Sequence, residues 1–240
     1  MIKIIVNGAK GKMGSTTITA IQAQKDFVLV AGLGHADNLE DAIKKNQADI
    51  VIDFTSAHAV YENALKIIHA GARAVIGSSG LTQEQIKYLS ELCQEKKLGV
   101  IIAPNFSIGA ILMMKFAQQA AHYFQHAEII ELHHAGKKDA PSGTAIKTAE
   151  MIAAVRVNQK TECKEMIDGA LGANHHDVHV HSIRLPGLLA HQEVIFGGLG
   201  ETLTIRHDST DRQGFMPGVI MACKKVMEID HLIYGLDNLL

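Results

Sequence analysis

Ile2-Lys3-Ile4-Ile5-Val6-Asn7-Gly8-Ala9-Lys10-Gly11-Lys12-Met13-Gly14 opens the chain and decides its fold. Ile2 to Val6 is a β-branched run closed by Asn7-Gly8, which predicts a buried strand. Lys12 to Gln24 follows with helical character. Glycines between such a strand and helix let the backbone turn tightly and approach a phosphate, which then rests on the helix N-terminus. The spacing is G-x-x-G-x-x-G rather than G-x-G-x-x-G, and a plain strand-to-helix turn would also use these residues. Lys10 and Lys12 suit phosphates or solvent equally.

The alternation continues outward from this turn. Phe27 to Ala31, Asp49 to Phe54, Ala74 to Ile76 and Leu98 to Ala103 read as further strands. Ala57 to Ala70 and Thr82 to Glu95 read as helices, the second with a capping box of Thr82 and Gln85. Apolar strands alternating with helices predict a Rossmann-type doubly wound parallel sheet covered on both faces. After Pro104 the pattern changes. Ile108 to Phe124 and Ser142 to Ala154 are predicted helices around a strand at Ala127 to Leu132. His179 to Leu185, Glu193 to Phe196 and Leu203 to His207 are predicted strands joined by Gly- and Pro-rich turns. They predict an α+β domain with an open mixed or antiparallel sheet. A last helix is expected from Phe215 to about Ile229, and Asn158 to Asn174 reads as a loop. The division expected is a doubly wound domain over 1–105, an α+β domain over 106–212, and a C-terminal helix over 213–240.

Composition sets the class. Apolar residues are 47% of 240, charged residues 20%, and the formal net charge is -2. That excludes a disordered chain and argues against a nucleic-acid partner. No apolar stretch approaches the roughly 20 residues of a membrane span, and no secretory leader is predicted. The three cysteines are scattered, which suggests a reducing compartment. The expectation is a soluble cytoplasmic protein.

Other strand ends supply candidate ligand contacts, since ligands bind at the carboxyl ends of strands in open α/β sheets. They are Asp53-Phe54-Thr55, Gly77-Ser78-Ser79-Gly80 and Ala103-Pro104-Asn105-Phe106, although ordinary turns have the same composition. The second strand ends in Ala31-Gly32-Leu33-Gly34-His35, and its first carboxylate is Asp37. No acidic residue is therefore expected at the strand tip to select NADH over NADPH.

The densest chemistry is Glu131-Leu132-His133-His134-Ala135-Gly136-Lys137-Lys138-Asp139-Ala140-Pro141-Ser142-Gly143-Thr144-Ala145. Cations crowded after a strand lower each other's pKa and attract anions. Ser142 can cap a helix whose Gly143 and Thr144 amides then suit a carboxylate. A bare strand end with a solvated lysine turn is the plainer alternative.

Together these stretches resemble the 4-hydroxy-tetrahydrodipicolinate reductase family, also called dihydrodipicolinate reductases. The resemblance spans nearly the whole chain. It is carried by Gly8 to Gly14, Asp53 to Thr55, Gly77 to Gly80, Ala103 to Gly109, Glu131 to Ala145, Ser182 to Gly187, His191 to Val194 and Phe215 to Gly218. It implies a dinucleotide-binding domain over 1–105, to which the helix of 213–240 returns, and a substrate-binding and oligomerisation domain over 106–212. It also implies reduction of a cyclic unsaturated dicarboxylate in lysine and diaminopimelate biosynthesis with NADH or NADPH, by a homotetramer joined through second-domain sheets. Carried over, His133 is the acid–base residue, and Lys137 is the proton donor and a substrate contact. Lys138 is a second candidate donor that the family register disfavours. His134, Gly143 and Thr144 hold a substrate carboxylate. Gly8, Ala9, Lys10, Gly11, Lys12, Met13, Gly77, Ser78, Ser79, Ala103, Pro104, Asn105 and Phe106 hold the cofactor. Some relatives carry an acidic–basic pair where this chain has Gly34-His35, and threonines at Ser78 and Ser79, so cofactor preference stays open.

The alternatives are another nicotinamide-dependent dehydrogenase and a non-catalytic dinucleotide sensor. Neither would need the His133–Lys137 loop beside a Ser-Gly-Thr helix start. His175, His176, His179 and His181 form a second cluster, and His179 and His181 share a strand face as a zinc pair would. No third ligand is evident, and no metal is expected. Met113-Met114 reads as core.

Overall fold

The computed structural model describes residues 1–156 and 163–240. The chain divides into two compact units, Met1–Ser107 with Arg212–Leu240, and Ile108–Asp211.

The first unit is built on a six-stranded sheet. Its strands are β1 (Ile2–Asn7), β2 (Phe27–Leu33), β3 (Ile50–Asp53), β4 (Arg73–Ile76), β5 (Val100–Ile102) and β11 (Leu232–Tyr234), in the order β11-β5-β4-β3-β1-β2. Every pairing in it is parallel. Ile4, Ile5, Val6, Ile50, Val51 and Ile52 are all 0% exposed, as strands covered on both faces require. The surrounding helices are α1 (Lys12–Gln22), α2 (Leu39–Asn46), α3 (Val60–His69), α4 (Gln83–Lys96) and α7 (Met216–Lys225). The α4 capping box is present: the Thr82 hydroxyl accepts from the Gln85 amide and the Gln85 side chain accepts from the Thr82 amide. β2 lies on one side of β1 and β3 on the other, so the chain reverses direction between them. Crevices at such a reversal are where doubly wound sheets bind ligands.

The second unit carries a five-stranded mixed sheet. It contains α5 (Ile108–Ala120), β6 (His126–His133), α6 (Gly143–Ala153), β7 (Ala173–His175), β8 (Val178–Arg184), β9 (Ala190–Gly198) and β10 (Glu201–Ser209). Strand order is β10-β9-β6-β8-β7; β6 and β8 run parallel and the other pairs antiparallel. Ile129, Val180, Val194 and Phe196 pack with Ala145, Ala149 and Ile152 of α6 and with Ala117 of α5. Helices thus cover one sheet face. The opposite face carries the half-buried Ile130, Leu132, Ile183 and Ile195.

Several expectations need correction. The segment before β3, to which the sequence pattern assigns no element, forms α2, in which Asn38 caps by accepting from the Asp41 amide. The final helix ends at Lys225 instead of Ile229, and β11 then adds a sixth parallel strand. α5 stops at Ala120. The loop expected over Asn158 to Asn174 begins among residues outside the described ones, and its end enters β7. Met113 and Met114 are buried, as read. No described helix is long and apolar enough to cross a membrane.

Candidate active site

In the first unit the glycine turn closes on backbone. Gly8 has φ +84, and a Cβ there would lie 2.4 Å from the Phe54 carbonyl oxygen. A Cβ at Gly14 would lie 2.1 Å from the Gly8 carbonyl oxygen. Only glycine permits this packing of the β1 and β3 tips. α1 then starts without a side-chain cap and without an acidic residue in its first turn. Its N-terminal amides and dipole therefore favour an anion, as a pyrophosphate requires.

A buried carboxylate organises the neighbouring strand ends. Asp53 is 0% exposed. Its Oδ2 accepts from Asn7 Nδ2 and Asn63 Nδ2, both at 2.9 Å. Its Oδ1 accepts from the Thr55 amide at 3.2 Å, and from Thr55 Oγ1 and Ser78 Oγ at 2.7 Å. The Ser78 hydroxyl is therefore committed to Asp53. Ser79 is exposed. Phe106 is buried and meets Phe54 edge to face with ring centres 5.7 Å apart, so its side chain is core. Asn105 Oδ1 accepts from the Ser107 amide at 2.8 Å. Gly8, Ala9 and Met13 are partly exposed, and Lys10, Gly11, Lys12 and Pro104 are exposed; Ala103 is buried.

The strand tip of β2 differs from its sequence reading. β2 runs on to Leu33, and Asp37 folds back so that its carboxylate accepts from the Gly34 amide at 2.7 Å. A negative charge therefore does stand at the tip. The Lys10 stem passes close by, with a Gly34 Cβ position 3.6 Å from its Cδ and Cε.

In the second unit the chemistry gathers where β6 ends and α6 begins. Glu131 and His133 alternate on β6 and so share its covered face. His133 Nδ1 lies 2.5 Å from Glu131 Oε2. Arg184, paired in register with His133, grips the same carboxylate with both terminal nitrogens, at 2.9 and 2.7 Å. Arg184 also donates to the Asp139 carbonyl at 2.8 Å. The Ser142 amide donates to Glu131 Oε1 at 3.2 Å, and the Ser142 hydroxyl caps α6 by accepting from the Ala145 amide at 3.2 Å. Burial pushes the Glu131 carboxyl up, but hydrogen bonds from His133, Arg184 and Ser182 outweigh it and hold the pKa down at about 2.

Lys137 stands elsewhere than its neighbours' charges suggest. Its Nζ donates to both oxygens of Asp139, at 2.8 and 2.7 Å. The ammonium rests on an anion, and the crowd of cations read from the sequence is corrected to an ion pair. That pair holds the Asp139 carboxyl below its ordinary range. His134 and Gly143 are exposed, and Thr144 is partly so. A Cβ at Gly143 would meet nothing within 4 Å. The fold itself has no steric need for glycine there. Sequence reasoning gives Glu131, Asp139 and Arg184 no role; the period-2 spacing of Glu131 and His133 is the available signal for the first of them.

In the second histidine cluster, His179 and His181 face one carboxylate. His179 Nδ1 and His181 Nε2 lie 3.2 and 2.7 Å from the two oxygens of Glu128. Among the described residues no group of three or more His, Cys, Asp or Glu is arranged to hold a metal.

Comparisons with known proteins match both units to one family. The family model for the dihydrodipicolinate reductase N-terminus matches residues 2–106, and that for its C-terminus matches 109–240. A 4-hydroxy-tetrahydrodipicolinate reductase of Coxiella burnetii (strain RSA 493 / Nine Mile phase I) is 57% identical over 239 residues, covering 100% of this chain and 99% of that protein. The Legionella pneumophila (strain Paris) protein of that name is 55% identical, with 99% of each chain covered. Among solved structures, a dipicolinate-bound dihydrodipicolinate reductase from Paenisporosarcina sp. TG-14 is 44% identical with TM-score 0.92, covering 100% of both chains. An amine dehydrogenase from Mycobacterium smegmatis shares the fold alone, at 11% identity and TM-score 0.68 over 98% of this chain and 95% of its own. Matched in both halves and along its full length, this chain belongs to the dihydrodipicolinate reductase family.

Proposed function

We propose that this chain reduces 4-hydroxy-tetrahydrodipicolinate to tetrahydrodipicolinate with NADH or NADPH, a step of lysine and diaminopimelate biosynthesis. The observation that carries the reading is the joining of His133, the α6 start and the Asp139 segment through Glu131 and Arg184. A reduced nicotinamide, when bound, supplies a hydride to the substrate ring. The residues 8–13, 77–79 and 103–106 are the proposed cofactor contacts, and the glycine turn with its uncapped helix start fits a pyrophosphate. Where Ser78 and Phe106 take part they do so through backbone or shape, because their side chains face Asp53 and Phe54.

The substrate's hydroxyl leaves as water to give the unsaturated ring, and addition of a hydride to that ring leaves negative charge that a proton must neutralise. Lys137 is the proposed donor and His133 the acid–base residue. Such help contributes roughly 10²–10⁴-fold in rate. Lys137 is held by an exposed partner, Asp139 being 63% exposed. Pairs of that kind hold by only about 0–1 kcal/mol, so a substrate carboxylate can displace Asp139. His134, Gly143 and Thr144 are the proposed seat of a substrate carboxylate at the α6 N-terminus. The planar dicarboxylate held by the Paenisporosarcina relative is consistent with that role.

The domain roles follow: a dinucleotide-binding domain within 1–105, joined by 213–240, and a substrate domain over 106–212. The helix-free face of the second sheet supports a homotetramer joined through it, which light scattering checks by mass. Three unpaired cysteines and the use of reduced nicotinamide support a cytoplasmic location.

The test is a coupled assay. Pyruvate and aspartate semialdehyde with a dihydrodipicolinate synthase generate the substrate, and loss of NADH or NADPH absorbance is followed. Loss that requires both precursors and this chain is expected. No loss from folded protein that binds dinucleotide would refute the reading. Lys137→Ala and His133→Ala should each lower turnover about 10²-fold or more with cofactor affinity unchanged.

A further inference from the structure

Every recorded partner of the Glu131 carboxylate is a donor. Oε1 accepts from Arg184 Nη2 at 2.7 Å and from the Ser142 amide at 3.2 Å. Oε2 faces Arg184 Nη1 at 2.9 Å and His133 Nδ1 at 2.5 Å. A ring nitrogen against an ionised, fully buried carboxylate must carry its hydrogen. Neutral His133 is then the Nδ1–H tautomer, and Nε2 keeps its lone pair. Nε2 has no hydrogen-bond partner among the described residues, and the ring is 15% exposed.

We propose that Glu131, clamped by Arg184, is a positioning residue for the reduction. It fixes the His133 tautomer so that Nε2 is presented to substrate, and it anchors the start of α6 with the same carboxylate. The acid–base group and the carboxylate-binding helix end are thereby tied into one piece. The inference rests on the roles given above to His133 and α6.

Stability alone is a weak reason for such a pair. A buried ion pair must offset heavy desolvation, and apolar replacements of equal volume are often as stable or more so. Here Arg184 Nε is also left buried without a hydrogen-bond partner. What the pair provides that apolar packing cannot is a fixed hydrogen on Nδ1. A glutamine cannot substitute. Its amide group would point either at Arg184 Nη2 and the Ser142 N–H, or at Arg184 Nη1. In the second orientation it would donate to Nδ1 and force the hydrogen onto Nε2.

The experiment is Glu131→Gln, read three ways. Turnover should fall about 10²–10⁴-fold, the span of general acid–base help, with the cofactor KM unchanged. Selective ¹⁵N-histidine labelling, with His133→Gln to assign the resonance, should show neutral His133 as Nδ1–H in wild type and as Nε2–H in the variant. Circular dichroism should show that the variant is folded. A folded variant with wild-type turnover, or with the Nδ1–H tautomer retained, would overturn the proposal. Should the variant not fold, the wild-type spectrum decides, because an Nε2–H tautomer there overturns it equally. The tautomer reading needs no turnover, so it separates this proposal from a failure of the reductase assignment.

Discussion

Replacing Gly143 with alanine should raise stability and lower activity together. Gly143 is the first residue of α6, is exposed, and does not have a left-handed φ; a Cβ there would meet nothing within 4 Å. The folded state therefore accepts the methyl without strain. The unfolded chain loses freedom, which stabilises by about 0.4–1 kcal/mol. For a chain of this length that is a rise in melting temperature of roughly 1–4 °C.

The same methyl stands where a substrate carboxylate would approach the α6 amides. Losing one hydrogen bond to a charged group costs about 1.5–3 kcal/mol, or roughly 10–150-fold in kcat/KM. The loss should appear mainly in the KM for the dicarboxylate, with the cofactor KM unchanged. Thermal melts and the coupled assay measure the two effects, and calorimetric titration with dipicolinate measures the second without turnover. An alanine variant that melts several degrees lower would show that the open space is misjudged. A variant with unchanged kcat/KM and unchanged dipicolinate affinity would remove Gly143 from the substrate site.

Gly14→Ala should do the opposite, because its Cβ would lie 2.1 Å from the Gly8 carbonyl oxygen with further backbone within 3 Å. Overpacking of this kind costs about 1–3 kcal/mol or more, so denaturant melts should show clear destabilisation and fluorescence titration weaker dinucleotide binding. Acid should destabilise the protein through Glu131. Its folded pKa of about 2 lies below the ordinary 4.5, so its contribution is full above that value and is lost as pH falls toward 2. The total is about 3 kcal/mol, and Glu131→Gln should remove that part of the slope in urea melts taken across this range. Of the three cysteines, Cys93 and Cys223 are buried, with Cys93 pushed up to about 12 by burial and Cys223 also raised by burial, whereas Cys163 is exposed. A thiol reagent should titrate one group in the native protein and three in denaturant.

The first sheet was legible because strands buried on both faces must be apolar throughout. Ile4-Ile5-Val6 and Ile50-Val51-Ile52 carry that signal without any need for periodicity. α2 was not legible because only Leu39 and Ile43 of its eight residues are buried, which is too little apolar pattern to mark a helix. β7 and β11 are three residues each and exist through pairing with β8 and β5, a tertiary cause that no local pattern records. At the site, residue types were legible but partners were not. Lys137 lies among cations in sequence, yet its ammonium finds Asp139 two residues on. Asp37 is four residues beyond the end of β2, yet a tight turn returns its carboxylate to the Gly34 amide.

Asp53 and Glu131 solve one physical problem in the two units. Loops that receive ligands need glycine and small residues, and such loops have little packing of their own to fix them. Each carboxylate is 0% exposed and stands at or near the end of a strand. Their recorded hydrogen-bond partners are all donors. A buried charge tolerates no arrangement that leaves it unsatisfied, so the donors must converge, and the segments bearing them are fixed with it. For Asp53 these segments are the end of β1, the Thr55 turn, α3 and the Ser78 loop. For Glu131 they are the end of β6, the end of β8 and the start of α6. Removing either charge should therefore loosen several segments of its unit at once, where deleting an exposed lysine of the same loops would loosen none.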